Sequence, residues 1–287
     1  MRFLAKKAVR WSLVVVLIFI LTWAGYHVIM EQSAGIPDEE LQNQVPKEDG
    51  EKSEALTEME GVSTAEIKIQ YLGHSSFLVE ADELCILMDP FSPQVGYGTL
   101  ELEADLITVS HEHMDHNYVN AAPEAKVLRG LTSDGLGWED ISYSVGGLSI
   151  TSIPAYHDKA SGKLRGRNSI FIFDLGDIRL VHLGDLGHLL NEGDVEKLLP
   201  VDVLLVPVGG HYTIDAMEAK QVVQQLVPAV VVPMHYQTKV TRNWPITELD
   251  IFLEGEEIVL QKGEKPVILN RDNLPKSTEI WVLDPPK

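Results

Sequence analysis

The sequence predicts an α/β fold preceded by one transmembrane helix, and three observations predict it. Residues 11–30, WSLVVVLIFILTWAGYHVIM, form an uncharged run of 20 residues. At about 1.5 Å per helical residue, such a run crosses a hydrocarbon core of roughly 30 Å. From residue 65 onward, short apolar and β-branched runs bounded by Gly, Pro, Asp or Ser follow one another, as strands do. Segments of helical periodicity enter only among the later runs, so strand-rich hairpins come first and strands mixed with helices second.

Arg2, Lys6, Lys7 and Arg10 precede the apolar run, and no Lys or Arg follows until Lys47. The positive-inside rule then leaves the N-terminus in the cytoplasm and carries everything after residue 30 across the membrane, as a single-pass cell-membrane protein. Trp11, Trp23 and Tyr26 suit the interfaces. The competing reading is a cleaved signal peptide cut near Ser33, Ala34 and Gly35, but the apolar stretch exceeds the usual h-region of about 7–15 residues and lacks an A-x-A site. Residues 31–64 hold ten acids, two bases and few large apolar groups. They cannot bury enough surface to fold and read as a flexible tether, with an r.m.s. span of about 30–35 Å. Three segments are thus expected: a stub and anchor over 1–30, a linker over 31–64, and a folded domain over 65–287.

Within the folded domain, strands are expected at EIKIQYL, SFLVEA, LCILMD and DLITVS, then at LSITSI, SIFIFDL, DIRLVHL, VDVLLVPV and AVVVPM. NEGDVEKLL is one helical segment. DAMEAKQVVQQLV is the stronger one, with Ala216, Ala219, Val222, Val223 and Leu226 on one face. Asp215 and Glu218 make a capping box at its start and Pro228 closes it. EEIVLQ, KPVILN and EIWVLDPP near the C-terminus read as added strands without chemistry.

The chain has 287 residues, a net charge of −20 and a pI near 4.8. A surface this acidic excludes general nucleic-acid binding, which needs basic patches to displace counterions. Cys85 is the single cysteine, so no intrachain disulfide forms, and its apolar run LCILMDP marks a core thiol.

The chemistry is concentrated in HEHMDH, His111 through His116, at the end of the run ADLITVS. Imidazole and carboxylate are the ligands of Zn and similar divalent ions. In an extended segment residues two apart share a side, so His111 and His113 can grip one ion together. A turn would let Asp115 and His116 reach a second. A shuffled chain of this composition contains H-x-H-x-D-H less than about once in a thousand tries. Two ions need more ligands, and His157, Asp185 and His235 each stand at the end of an apolar strand run.

Together YLGHSSFLVE, MDPF, SHEHMDH, PAYHD, HLGDLGH, PVGGHYTID and PMHY, spanning residues 66 to 240, resemble the metallo-β-lactamase superfamily. In particular they resemble its branch of small metal-dependent hydrolases, which includes ascorbate-6-phosphate lactonase-like proteins and, more distantly, phospholipase D enzymes of N-acylphosphatidylethanolamine. The resemblance implies a four-layer αββα sandwich with a dinuclear site along one edge. It places His111, His113 and His157 on a first metal, and Asp115, His116 and His235 on a second, with Asp185 bridging. Two divalent ions are expected, Zn first, with Mn or Fe suited by the same ligands. A hydroxide between them would be available near neutral pH, since bound water falls to a pKa of about 7. Asp115 can also orient the nucleophile, and His211 or Tyr212 can protonate the leaving group. His74 and Asp89 match the family pattern as groups that orient ligands or support structure.

The expected activity is hydrolysis of a phosphodiester, lactone or related ester, on a small-molecule or lipid substrate. Lys159, Lys163, Arg165 and Arg167 could meet an anionic group on it, although a solvated hairpin loop is the ordinary reading of such a run. A non-catalytic metal-stabilised binding module of the envelope and a mono-iron redox enzyme on the same fold are the alternatives. His182 reads as a packed core residue and His188 as turn structure. Oligomeric state is not legible.

Overall fold

The computed structural model describes residues 66–286. The expected span at 11–30 and the linker at 31–64 lie outside the described residues. Among the described residues, no helix is long and apolar enough to cross a membrane.

The first sheet collects β1 (Ile67–Gly73), β2 (Ser76–Ala81), β3 (Leu84–Met88), β4 (Leu106–Val109) and β5 (Lys126–Arg129). The second collects β6 (Ser142–Val145), β7 (Leu148–Tyr156), β8 (Arg167–Leu175), β9 (Ile178–His182), β10 (Val203–Pro207) and β11 (Val230–Met234). The C-terminal strands β12 (Val259–Gly263), β13 (Val267–Leu269) and β14 (Glu279–Leu283) divide between them. The six-stranded order is β13-β1-β2-β3-β4-β5, and the eight-stranded order is β12-β14-β11-β10-β9-β8-β7-β6. Both sheets are mixed. Hairpins make β1–β3 and β6–β9 antiparallel, while β3–β5 and the run from β9 through β14 to β12 are parallel.

Strand alternation builds the core between the sheets. Ile67, Ile69 and Tyr71 of β1 face Phe171 and Phe173 of β8 and Leu205 of β10 in one apolar cluster. The opposite faces of β8 to β11 are apolar as well, with Ile170, Ile172, Val181 and Leu204 fully or nearly buried. Strands covered on both faces read as continuous apolar runs, as these do.

Three helices, α1 (Glu192–Leu198), α2 (Ala216–Leu226) and α3 (Leu249–Leu253), cover that outer face. In α2 the Asp215 side chain accepts from the Glu218 amide at 2.9 Å and Glu218 accepts from the Asp215 amide at 3.2 Å, satisfying two free donors of the first turn. Ala216, Ala219, Val222 and Leu226 are buried, and each Val or Leu so covered contributes about 1.5–3 kcal/mol. The helix stops at Val227, which adopts a left-handed conformation before Pro228.

The fourth layer departs from the αββα expectation. Among the described residues no α-helix covers the first sheet. Its outer face, with Leu87, Ile107 and Val109, packs under Phe91, Val95 and Ala121 from loops and two 3₁₀ turns, Pro93–Val95 and Val119–Ala121. Pro90, Pro93, Gly96 and Gly98 interrupt the β3–β4 connection too often for a helix to propagate.

Candidate metal centre

Strand ends and one hairpin turn deliver the candidate ligands to a single edge of the sandwich. His111 follows β4, His157 follows β7, Asp185 follows β9 and His235 follows β11. Residues 111–113 are bends rather than the extended stretch expected of His111 and His113, while 114–116 turn as expected, with the His116 amide donating to the His113 carbonyl at 3.0 Å. The turn still sets the His111 and His113 rings edge to face, with centroids 4.6 Å apart. His235 has φ +53° and donates its amide to the carbonyl of His74, itself at φ +57°, at 2.8 Å. Asn168, fully buried, accepts from the Asp185 amide at 3.0 Å and donates to the Leu183 carbonyl at 2.9 Å, which pins the turn carrying Asp185.

Three groups of ligand atoms result, of which two share no residue and the third, Asp89 with His111 and His116, overlaps both. His111, His113 and His157 bring theirs within 4.8 Å of one another, as do His74, Asp115, His116 and His235. Asp185 stands between the groups. Its Oδ2 lies 3.1 Å from His157 Nε2, 3.3 Å from His235 Nε2 and 3.9 Å from His111 Nε2, and its Oδ1 lies 3.2 Å from His116 Nε2. All seven residues named from the sequence are therefore brought together.

The opposite ring nitrogens are held from behind. His116 Nδ1 is 2.9 Å from Asp89 Oδ2, and His157 Nδ1 is 3.1 Å from the Tyr212 carbonyl. His111 Nδ1 lies 2.9 Å from Ser110 Oγ, whose hydroxyl donates in turn to Asp89. Such contacts fix the tautomer so that Nε2 offers its lone pair to a metal. His111 Nε2, His116 Nε2, His235 Nε2 and Asp185 Oδ1 are buried with no hydrogen-bond partner. Buried polar atoms are seldom left so, and four of them converging from imidazole and carboxylate fit divalent cations.

Charge in the metal-free site is tightly coupled. Burial alone would raise the Asp185 carboxyl, but His116, His235 and His157 reverse this and hold it well below the usual range. Asp115 behaves likewise, with His116 and His74 outweighing its burial. Burial alone would lower His116, yet Asp185 and Asp115 hold it well above its ordinary value. Burial and then the neighbouring His116 push His111 well down. Burial, with His235 beside it, pushes His74 to about 4.

The β-lactamase superfamily domain matches residues 68–235. A UPF0173 metal-dependent hydrolase of Thermococcus onnurineus is 31% identical over 227 residues, covering 69% of this chain and 98% of the relative. The chain belongs to the metallo-β-lactamase superfamily. Another UPF0173 metal-dependent hydrolase, from Carboxydothermus hydrogenoformans, is 32% identical over 64% of this chain and 89% of its own length. The crystal structure of a Thermotoga maritima protein, provisionally named a Zn-dependent hydrolase of the superfamily, is 33% identical with a TM-score of 0.58, covering 76% of this chain and 98% of that one. The present protein is a metal-dependent hydrolase of this superfamily.

The superfamily site opens into a cleft of about 460 Å³, where His113, Asp115, His157, Asp185 and His235 meet Leu164, Arg165, Tyr212, Asn243, Trp244 and Pro245. His211 does not line this cleft. It is exposed at φ +57° and borders the neighbouring depression with Lys159 and Glu218, while Tyr212, next in the chain, enters the cleft. Of the two residues expected as proton-donor candidates, Tyr212 lines the cleft and His211 lies outside it. Sequence reasoning missed the 243–245 wall, whose only signal was an aromatic residue and a proline in a polar loop. It also missed Ser110 and Asn168. His182 is buried, with Nε2 2.9 Å from the Ser75 carbonyl and Nδ1 accepting from the Gly184 amide. His188 accepts from the Tyr156 amide at 3.1 Å and closes its own turn. Neither belongs to the site.

Proposed function

We propose that this metal-dependent hydrolase is a dinuclear enzyme that cleaves a phosphodiester, lactone or related ester, tethered to the cell membrane by residues 1–30 with its folded domain outside the cytoplasm. The observation that carries the dinuclear reading is Asp185, whose Oδ2 lies between His157 of one group and His235 of the other, and whose Oδ1 lies 3.2 Å from His116 Nε2. His111, His113 and His157 would hold one ion, Asp115, His116 and His235 the other, and Asp185 both. Zn suits this nitrogen-rich set, and Mn or Fe would also be accepted. Divalent ions bound here would polarise a carbonyl or phosphoryl oxygen and lower the pKa of water to about 7.

The chain's own residues supply the remaining tasks. The Asp115 side chain is 18% exposed, and its Oδ2 lies 3.1 Å from His74 Nε2, so Oδ1 is left to orient an attacking water. Tyr212 lines the cleft wall, and its hydroxyl could protonate a leaving group there. Trp244 and Pro245 exclude water from one side. The membrane placement rests on the uncharged run at 11–30 and the basic residues before it.

The test is hydrolysis of a chromogenic phosphodiester and of a simple lactone by the full-length chain in detergent, with and without chelator. Turnover lost to chelator and restored by Zn or Mn is expected. Turnover indifferent to chelator, or none with either substrate after metal is restored, would overturn the reading. Protease protection in sealed membrane vesicles tests the orientation. A folded domain shielded when only the cytoplasmic face is exposed is expected, and digestion there would contradict it.

A further inference from the structure

Beside the metal cleft, the loop from Asp158 to Gly166 is a built turn. The Asp158 carboxylate, 4% exposed, accepts backbone amides from Ala160 at 2.7 Å, Gly162 at 3.1 Å, Leu164 at 2.9 Å and Arg165 at 2.7 Å. The His157 amide donates to the Gly166 carbonyl at 3.1 Å, closing the loop's base directly behind a metal-ligand candidate. The Arg165 backbone is thereby fixed relative to His157.

The loop's cations have separate employments. Lys159 pairs with Glu218 at 2.6 Å, and the Arg167 guanidinium lies 4.9 Å from the Trp138 ring centre. Lys163 is exposed and lies outside the cleft. Arg165 alone of the four lines the cleft, with its guanidinium 5.6 Å from the Tyr212 ring centre. Among the described residues no carboxylate lies within 4.0 Å of it, on a chain with 43 acidic residues. A planar five-donor fork held beside a hydrolytic site and left without an anion suits bidentate recognition of a carboxylate or phosphate. Asn243 adds an amide, and Leu164 with Trp244 adds apolar wall.

We propose that Arg165 determines specificity by binding an anionic group, carboxylate or phosphate, carried by the substrate beyond its scissile bond. The substrate is then an amphipathic anion whose apolar part lies against Leu164 and Trp244. This inference rests on the hydrolase reading of the same cleft.

Two measurements on the full-length chain test it. The first is calorimetric titration of the metal-free protein with benzoate and with phenylphosphonate, which separates the two anion sources. At least one should bind at millimolar concentration. Arg165→Met should weaken that binding tenfold or more, Arg165→Lys should recover part of it, and Lys163→Met should leave it unchanged. Absence of binding to the wild-type chain, or equal losses in Arg165→Met and Lys163→Met, would overturn the proposal. The second compares the metal-loaded protein on a nitrophenyl ester bearing a terminal carboxylate and on its neutral isostere. Arg165→Met should cut the preference for the anionic ester about tenfold, chiefly through KM. Anion binding that depends on Arg165 without turnover of either ester would sink the ester-cleavage reading and leave the anion site standing. Turnover whose selectivity ignores Arg165 would do the reverse.

Discussion

Asp89 Oδ2 lies 2.9 Å from His116 Nδ1, joining the end of β3 to the bend after β4. The same carboxylate accepts from the Ser110 amide at 2.8 Å and from the Ser110 hydroxyl, which abuts His111. One buried carboxylate thus sets the ring orientation of ligand candidates from both metal groups. Asp89→Asn should weaken metal affinity by about 10- to 100-fold while the domain stays folded. Chelator competition monitored by metal release measures this; unchanged affinity would remove Asp89 from the metal's support.

Gly187 sits where a Cβ would press into the His157 carbonyl and the Asp158 amide, both backbone and both unable to yield. Gly187→Ala should therefore cost about 1–3 kcal/mol through overpacking. It should also displace His157 and reduce bound metal. Thermal unfolding with and without metal reads both effects, and a variant as stable and as metal-rich as the parent would contradict the geometry.

The metal-free chain should be most stable near pH 6.5. His74 is held near 4 by burial and His235, below its ordinary 6.5, so in that window the unfolded chain binds more protons and stability falls as pH drops. His116 has the opposite sign. Asp185 and Asp115 outweigh its burial and raise it, so its stabilisation is complete below 6.5 and is lost as pH climbs through the raised value. Each unmatched proton changes the folded-to-unfolded ratio about tenfold per pH unit. Unfolding midpoints in chelator should fall on both sides of 6.5, and a monotonic profile would contradict the assignment. Added metal should lift the alkaline limb most, because metal competes with the His116 proton.

Cys85 is half-buried, and its thiol is pushed up to about 11 by burial and then by the Glu80 and Asp105 carboxylates. At pH 8 the thiolate fraction is on the order of a hundredfold below that of an ordinary cysteine. Iodoacetamide should alkylate the native chain at least that much more slowly than the urea-unfolded chain; comparable rates would contradict the environment described.

Much of this architecture was legible because hydrophobic patterning and ligand chemistry act locally. The nine apolar runs read as strands from Ile67 to Met234 are strands, since β-branched residues bounded by turn formers leave little choice. β5 and β6 were not legible because KVLR and SYSV are only four residues each and half polar, defined by pairing with β4 and β7 rather than by their own pattern. The candidate ligands were legible because His and Asp at the ends of buried strands stand out chemically. Asn168, Ser110, Gly187 and Trp244 were not, since their roles depend on contacts with residues remote in the chain. The helical fourth layer was carried over from the family resemblance against local evidence, as Pro90, Pro93, Gly96 and Gly98 oppose a helix there.

The most direct measurement is metal content per full-length chain, by mass spectrometry after purification without added metal and again after reconstitution with Zn, on the parent and on Asp185→Ala. Two ions per parent chain are expected, falling to one or none in folded Asp185→Ala, with chelator-sensitive hydrolysis lost in step. A single ion in the parent after reconstitution, or two retained in Asp185→Ala, would contradict a dinuclear centre bridged by Asp185.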